Sequence, residues 1–486
     1  MRAKVLDVPP VVTDQERADE WADQLEDLLL EVGRIFPRAD LRRRAAACVR
    51  GLLGPLSRKN GWQIAEHAGD SRPDGQQHLL NRACWDVDEL RDVVRRYVVE
   101  GLDDAGAGLG PGGAGVLVID ETGFAKKGRA AGVARQFTGS LGGVFPCQVG
   151  VMAAWATTAG QALIDRELYL PKEWTDDRER CRAAHVPGQV GFATKPRQAE
   201  QMIDRTLPSL PEGRVWVAAD EVYGRDGAFR AFLEKHRLPY AVTVPANQTV
   251  LPRPGWRHIA RLVQRVASEE DWAELPAGPS QAGTRAWQWW VRRVPDPDSE
   301  VGRGAWARWI IARRRPGEPQ ERDYFFAWGP EETPVEELVR VPGARWRVED
   351  AIKLAKSACG LADYEVRSYH GWYRHITLAM LAAAFLAVQE RGRPASRRPP
   401  PRRRPTEGEA GSHSNSIVPI RFTAYEIRRL LVLTQPPLAQ TERLRRGLTW
   451  SRWRRCHQAV ARDCHRRRNR ARASMRAPAP PPPQPS

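Results

Sequence analysis

The amino-acid sequence predicts a mixed α/β fold, and two patterns support this prediction. Short runs of consecutive apolar residues are typical of buried strands, and VLVID (Val116–Asp120) and VWVAAD (Val215–Asp220) are two such runs. Apolar residues that recur every three or four positions are typical of helices, and this spacing runs through the first hundred residues. With 486 residues, the chain is long enough for two to four domains.

The chain is strongly basic. Its 76 Lys and Arg residues exceed its 59 Asp and Glu residues, and the formal net charge is +17. Arginine supplies most of the excess, and its guanidinium group matches phosphate oxygens, so a polyanionic partner is expected. A GC-rich genome would also enrich arginine, but it would not concentrate the positive charge towards the C-terminus.

The number of cysteines and the lengths of the apolar runs indicate in which cellular compartment the protein is found. The seven cysteines are scattered and odd in number, which argues against a disulfide framework and for a reducing cytoplasm. The N-terminus has no apolar core of signal-peptide length, and the longest apolar run, Ile376–Val388, is too short to span a bilayer. We therefore expect a soluble cytoplasmic protein with no membrane partner.

The region from Asp14 to Leu102 is predicted to be helical, because apolar residues recur there at helical spacing. Basic residues lie between the apolar ones in part of this region: Arg42, Arg43, Arg44, Arg50, Arg58 and Lys59. One interpretation is a compact DNA-binding head with one basic side. The other is an ordinary helical domain with a solvated basic face, and both stay open at this point.

A Gly- and Ala-rich segment, Asp104–Gly115, indicates a linker to a second region of different character. Three strands are predicted first, in VLVID, CQVGVMAAWAT and QALIDRELYL. A helix (Gln198–Leu207), the strand VWVAAD, a helix (Gly227–His236) and the strand PYAVTVP follow. Three strands and then helix, strand, helix and strand is the element order of a ribonuclease-H-like fold.

These elements predict five domains or parts of domains. We expect a helical, DNA-binding N-terminal domain over residues 1–110 and the first part of a ribonuclease-H-like core over 111–245. Dense tryptophans and short alternating runs indicate a β-rich insertion over 246–322. The second part of the core covers 323–392, and a basic, Pro- and Arg-rich, partly disordered tail with short helices covers 393–486.

Three acidic residues are candidates for a metal site. Asp120 and Asp220 each end a predicted buried strand, and Glu349 lies on a predicted helix with Arg345, Lys353 and Lys356 on the same face. Phosphoryl transfer on DNA uses divalent metals held by carboxylates, with cations beside them to hold phosphate. A single strand-end Asp is more often a turn or helix-cap residue, and Glu349 alone could form ordinary ion pairs within its helix. Two matched strand ends together with the third acid favour the metal site.

The sequence resembles the DDE transposases of bacterial insertion sequences. It is most similar to the insertion sequence seven-oh-one family, a relative of the insertion-sequence-four group. The resemblance runs from about residue 20 to residue 390, and the stretches that carry it are RKNGWQIAEHAGD, VLVIDETGFAKKG, RQFTG, CQVGV, VAADEVYG, RWRVEDAIKLAK and GLADYEVRSYHGWYRHITLAM.

The resemblance implies an enzyme that cuts and joins DNA by cut-and-paste transposition. It implies that Asp120, Asp220 and Glu349 are the catalytic, metal-binding residues, with two Mg²⁺ or Mn²⁺ ions. The implied partners are double-stranded DNA, namely the inverted repeats at the element ends and the target, and a second protomer on paired ends. Association with the bacterial nucleoid follows from that partner. The signature of the related group has a Tyr where this chain has Pro342, which removes any contact that depends on the Tyr.

Further residues are candidates for DNA contact. Lys126 and Lys127 follow the first Asp, and Arg367 and Arg374 lie in a cluster of bases and aromatics; a solvated loop and helix packing are the alternatives. Cys456, His457, Cys464 and His465 match no familiar zinc spacing. The alternative function is a catalytically inactive or co-opted transposase-like DNA-binding protein, and a metal-dependent nuclease of defence or repair would share the acids.

Overall fold

A large mixed β-sheet, with helices packed against it, organises the protein. The computed structural model describes residues 14–103, 109–139, 142–250, 258–276, 286–294, 306–390, 422–434 and 439–476. Within these residues the sheet has ten strands. In order across the sheet they are β2 (Ala134–Thr138), β3 (Gly143–Ala156), β1 (Gly115–Ala125), β5 (Val215–Ala219), β6 (Tyr240–Val244), β10 (Glu318–Pro330), β9 (Trp306–Arg315), β8 (Ala286–Val294) and β7 (Ala273–Pro276), and β4 (Gln161–Tyr169) also pairs with β3. This mixed α/β architecture agrees with the predicted fold class.

Five helices precede the sheet: α1 (Asp14–Gly33), α2 (Ala39–Leu53), α3 (Gly61–His67), α4 (Asp74–Asn81) and α5 (Val87–Leu102). The prediction of a helical region from Asp14 to Leu102 is confirmed. The apolar face of α1 is buried as its spacing predicts, with Leu25, Leu28 and Val32 all in the core. The predicted basic side is only partly exposed, because Lys59 is buried and donates to the Gly54 carbonyl.

The next part of the chain forms the centre of the sheet. Its strands are β1 (Gly115–Ala125), β2 (Ala134–Thr138), β3 (Gly143–Ala156), β4 (Gln161–Tyr169), β5 (Val215–Ala219) and β6 (Tyr240–Val244). Strand β3 pairs antiparallel with β1 and β4, whereas β1, β5 and β6 are parallel. This arrangement is consistent with a ribonuclease-H-like fold. The helices between these strands are α6 (Lys172–Thr175), α7 (Arg178–Ala183), α8 (Lys195–Thr206), α9 (Glu221–Gly224) and α10 (Gly227–Lys235).

Two strand predictions need correction. Strand β1 does not end at Asp120 but continues to Ala125, because its antiparallel pairing with β3 extends to Cys147. The segment RQFTG was not predicted as a strand, yet its first four residues belong to β2, which pairs with the beginning of β3. In both cases the residues form a strand because they pair with β3. The local apolar pattern does not show such a pairing.

The tryptophan-rich region continues the same sheet. It contains α11 (Ile259–Val266), β7 (Ala273–Pro276), β8 (Ala286–Val294) and β9 (Trp306–Arg315), and β10 (Glu318–Pro330) returns to pair antiparallel with β6. The predicted β-rich character is confirmed in the described residues, whereas the domain boundaries stay predictions. Arginines stack on the tryptophans, as Arg314 does on Trp272 with 4.2 Å between guanidinium carbon and ring centroid.

The C-terminal helices are α12 (Val335–Leu338), α13 (Arg340–Ala344), α14 (Trp346–Cys359), α15 (Tyr369–Gln389), α16 (Ala424–Leu433) and α17 (Gln440–Arg476). The helical prediction for Pro334–Gln389 is interrupted after α14, because Gly360 adopts a left-handed conformation with φ 65° that caps the helix. Helix α15 is long and apolar enough to cross a membrane, but 89% of its most apolar window is buried within the protein. The predicted disorder over 391–416 and the first part of the predicted linker, residues 104–108, lie outside the described residues.

A buried ionic network joins the helical region to the sheet. Asp165 on β4 is fully buried and accepts from Arg95 of α5 at 3.0 Å and from Arg205 of α8 at 2.7 and 2.8 Å. Burial acts to raise the pKa of the Asp165 carboxyl, but Arg205 and the nearby Arg166 and Arg91 outweigh it and lower the pKa to about 2. The charge of Asp165 is therefore part of the folded structure.

The network predicts a strong dependence of stability on Asp165. Removing one partner from a buried ion pair leaves the other charges uncompensated, so Asp165→Asn should lower the free energy of unfolding by about 3–5 kcal/mol in urea titrations. Because the folded pKa of Asp165 lies below its unfolded value, its contribution is present above about pH 4 and is lost as the pH falls towards 2. The difference in the free energy of unfolding between wild type and Asp165→Asn should therefore become smaller as the pH falls from about 4 towards 2.

The matched control is Asp92→Asn, which removes a carboxylate that also pairs with Arg95 but whose side chain is 51% exposed. Because Asp92 is half exposed, water can replace it beside Arg91 and Arg95, so this variant should lose much less stability than Asp165→Asn. Equal losses in the two variants would show that burial of Asp165 has no special role.

Candidate metal centre

The parallel pairing of β1 with β5 brings two aspartates side by side. The last paired residues are Ile119 on β1 and Ala219 on β5. Asp120, within β1, and Asp220, directly after β5, are the next residues, so the two aspartates lie side by side where the pairing of β1 with β5 ends. The carboxyl ends of neighbouring parallel strands are where α/β folds form their sites.

A third carboxylate, from Glu121, belongs to this cluster. One carboxylate oxygen from each of Asp120, Glu121 and Asp220 lies within 4.8 Å of the others. Glu121 accepts from Lys195 Nζ at 2.5 Å and from the Tyr223 hydroxyl at 3.1 Å. Sequence patterns alone do not place Glu121 with Asp120, because neighbouring residues on a strand normally point to opposite faces.

The aspartates are largely buried, and this changes their proton affinity. Burial, opposed by Arg345, raises the pKa of Asp120 to about 6. Burial together with the charges of Asp120 and Glu121 raises the pKa of Asp220 to about 7. Both groups therefore titrate close to neutral pH, and their ionised forms are destabilised unless a cation lies nearby.

Asp220 also caps a helix, which is the alternative interpretation of an Asp at the end of a strand. Its Oδ1 accepts from the Val222 amide at 2.9 Å, so the side chain caps the short helix α9. A cap role and membership of the acidic cluster are compatible, because a carboxylate has two oxygens.

Glu349 lies next to the cluster on the first turn of α14. The guanidinium group of Arg345 lies between Glu349 and Asp120, with Nη1 3.3 Å from Glu349 Oε1 and 3.6 Å from Asp120 Oδ2. Burial raises the pKa of Glu349, and Asp350 and Asp220 act in the same direction while Arg345 opposes them. The three predicted acids therefore come from three distant segments to one region, with Arg345 among them.

The two lysines of α14 differ in their surroundings. Lys356 donates to Thr122 Oγ1 at 2.6 Å and to the Gly123 carbonyl at 3.0 Å, so it attaches α14 to the end of β1. Burial lowers the pKa of Lys356 to about 8. Lys353 is exposed at the surface of the same helix.

The other predicted DNA-binding cations fall into two groups. Lys126 donates to the carbonyls of Ala362 and Tyr364, and Arg374 donates to the carbonyls of Leu80 and Ala83. These two side chains hold loops of the protein together, which differs from the expectation of solvent-facing cations. Lys127 and Arg367 are exposed.

The remaining candidates have structural surroundings. Trp372 and Tyr373 are buried in α15, as the packing alternative predicts. Cys456 and Cys464 lie on the single helix α17, where eight residues correspond to a rise of about 12 Å, too far for one zinc ion. All seven cysteines are free thiols.

The acidic cluster suits a hard divalent cation. Its donors are carboxylate oxygens, the ligands that Mg²⁺ and Mn²⁺ prefer, and the raised pKa values of Asp120 and Asp220 show that their negative charges lack full compensation from the protein. Among the described residues, this is the group of three or more acidic, histidine or cysteine side chains close enough to share an ion.

Comparison with known proteins identifies the family. No curated protein matches this chain. A family model described as DDE superfamily endonuclease matches residues 31–290, which include Asp120, Glu121 and Asp220 and end before Glu349. This match covers more than half of the 486 residues. The chain therefore belongs to the DDE superfamily of endonucleases.

Proposed function

We propose that this protein is a DNA transposase that cleaves DNA at the ends of an insertion sequence and joins those ends to target DNA. The observation that carries the proposal is the position of Glu349 next to the acidic cluster that contains Asp120 and Asp220. The sequence motifs around these acids favour the insertion sequence seven-oh-one family and a cut-and-paste reaction.

Asp120, Asp220 and Glu349 are the residues proposed to hold two Mg²⁺ or Mn²⁺ ions. Such ions lower the pKa of an attacking water or hydroxyl group and stabilise the charge on the leaving oxygen. Lys195 and Tyr223 fix the Glu121 carboxylate beside the two aspartates, so Glu121 adds negative charge to the site and restricts the side-chain positions around it. Lys356 keeps α14, and with it Glu349, against β1.

The cations around the acids are proposed to hold the DNA backbone. Arg345 and Lys353 lie on the Glu349 side of the site, and Lys127 and Arg367 are exposed on neighbouring loops. A guanidinium or ammonium group near a metal-bound phosphate orients the strand without reading its sequence. Transposition joins two element ends, so the proposed active species is a homodimer on paired ends in the bacterial cytoplasm, close to the nucleoid.

The first prediction concerns the three acids. Asp120→Asn, Asp220→Asn and Glu349→Gln should each reduce cleavage of end DNA by at least about 10³-fold, because a catalytic metal supplies several kcal/mol of transition-state stabilisation. Cleavage is measured on labelled element-end duplexes with Mg²⁺, and binding of the same duplexes by electrophoretic mobility should be retained. Retained binding would separate loss of chemistry from loss of folding.

Two neighbouring acids provide matched controls. Glu221→Gln follows Asp220 in the chain at an exposed position, and Asp350→Asn follows Glu349 on α14. Both variants should cleave within a few-fold of wild type. Wild-type cleavage by any one of the three proposed ligand variants would remove that residue from the site, and end binding by wild type without any cleavage would favour the inactive DNA-binding alternative.

The second prediction concerns pH. Protons compete with metal for Asp120 and Asp220, whose pKa values are about 6 and 7, so Mn²⁺ affinity should weaken by at least about tenfold between pH 8 and pH 5. Because these folded pKa values lie above the unfolded ones, the metal-free protein should lose stability as the pH rises from about 4 to about 7. Thermal unfolding with EDTA and with Mn²⁺ at each pH measures both effects.

Asp220→Asn serves as the control for the pH effect. It lacks the titrating carboxyl, so its metal-free melting temperature should fall less between pH 5 and pH 8, and Mn²⁺ should raise it less than it raises wild type. A Mn²⁺-induced shift of the melting temperature that is equal at pH 5 and pH 8 would contradict the assignment of these aspartates as ligands.

A further inference from the structure

Helix α17, at the C-terminal end of the described chain, has two halves with different surroundings. It runs from Gln440 to Arg476. Its first half packs against the helical region near α3, where Trp450 is 1% exposed. From Arg462 to Ala471, every residue is exposed on all faces of the helix.

The first half is attached firmly to the body of the protein. Trp450 Nε1 donates to the Asp70 carbonyl at 2.7 Å, and Arg454 forms an ion pair with Glu66 of α3. The ring of Trp453 contacts Trp62 of α3 edge-on, with 4.8 Å between centroids. These contacts fix the direction in which the helix leaves the body, so the exposed half is a projecting arm and not an isolated helix.

The exposed half has the composition of a polyanion-binding surface. Between Arg462 and Arg470 it carries Asp463 as its one acid and five arginines, namely Arg462, Arg466, Arg467, Arg468 and Arg470. Arg462, Arg466 and Arg470 are spaced four residues apart and share one face of the helix, where like charges repel each other. This repulsion is relieved when phosphate groups lie against the row.

The same composition argues against other partners. A helix that lies on a membrane surface needs an apolar face, and a helix that pairs with another copy needs an apolar stripe at heptad spacing. The stretch from Arg462 to Ala471 contains no large apolar residue. Charge complementarity therefore favours a phosphate backbone over a lipid surface or a second protein helix.

The first half of α17 lies beside an open cleft. Trp62, which contacts α17 through Trp453, also lines a cleft of about 1330 Å³ between the helical region and the sheet. Three exposed arginines, Arg82, Arg129 and Arg367, line the same cleft, together with acidic residues such as Glu365. The contact between Trp453 and Trp62 thus links the helix that carries the arm to the lining of the cleft.

We propose that the exposed half of α17 is an arm that binds the phosphate backbone of duplex DNA outside the metal site, without reading base sequence. This inference rests on the proposed function only for the identity of the polyanion. The first half of α17 fixes the arm to the helical region that borders the cleft, so a duplex bound by the arm would lie alongside this region.

The test is a variant in which the five arginines of the arm are replaced by glutamine, a good helix former that removes the charge. Neutralising phosphates releases counterions, so the slope of log binding constant against log salt should decrease in magnitude by about 4 for the full chain on a 40-base-pair duplex. The loss of affinity should be the same on an element-end duplex and on an unrelated duplex. Five Arg→Lys substitutions are the matched control and should retain the slope.

Each outcome decides between alternatives. An unchanged salt slope in the Gln variant would overturn the proposal. A loss of affinity confined to the element-end duplex would also overturn it, and so would tighter binding of the wild type to anionic lipid vesicles or to RNA than to duplex DNA. A change in mass from dimer to monomer without a change in the salt slope would likewise contradict it. Cleavage of a short end duplex at low salt should persist in the Gln variant, so failure of the proposed chemistry is distinguishable from failure of the arm.

Discussion

The parallel pairing of β1 with β5 brings two carboxylates side by side where that pairing ends. Basic residues around them offset part of the electrostatic repulsion that results. Asp120 and Asp220 follow the last pair of that register, Ile119 with Ala219. With Glu121 they form a cluster of like charges in a largely buried place, where electrostatic repulsion is stronger than in water. Burial raises the pKa values of both aspartates, and the repulsion between the acids raises them further.

The basic residues of the site counter this repulsion in distinct ways. Arg345 lies between Asp120 and Glu349, and Lys195 pairs with Glu121. Lys356 attaches α14 to β1 through Thr122 and the Gly123 carbonyl and so keeps Glu349 near the cluster. At a distance, the buried Asp165 network fixes β4 to α5 and α8, and Lys195 is the first residue of α8. The position of the Lys195 ammonium group therefore depends on a network on the opposite end of the same helix.

Local sequence patterns predicted the parts of this site that depend on local properties. Buried strands have consecutive apolar residues, so Asp120 and Asp220 could be placed at the end of such runs, and the helical spacing of Arg345 and Glu349 could be read directly. Features that depend on distant partners could not be predicted. The extension of β1 beyond Asp120 requires β3, the strand β2 requires the same partner, and the break at Gly360 reflects its left-handed conformation and its close approach to Lys59. The internal hydrogen bonds of Lys126 and the inclusion of Glu121 in the cluster likewise follow from tertiary contacts.

We propose that carboxylates from β1, from the end of β5 and from α14 hold the same metal ions, and anomalous diffraction from crystals soaked with Mn²⁺ tests this proposal. The expected result is anomalous density next to Asp120 and Asp220, with an oxygen of Glu349 in the same coordination sphere at about 2.0–2.2 Å and Arg345 moved away from the carboxylates. Density coordinated by Asp120, Glu121 and Asp220 with Glu349 still paired to Arg345, or no density at this edge of the sheet, would contradict it.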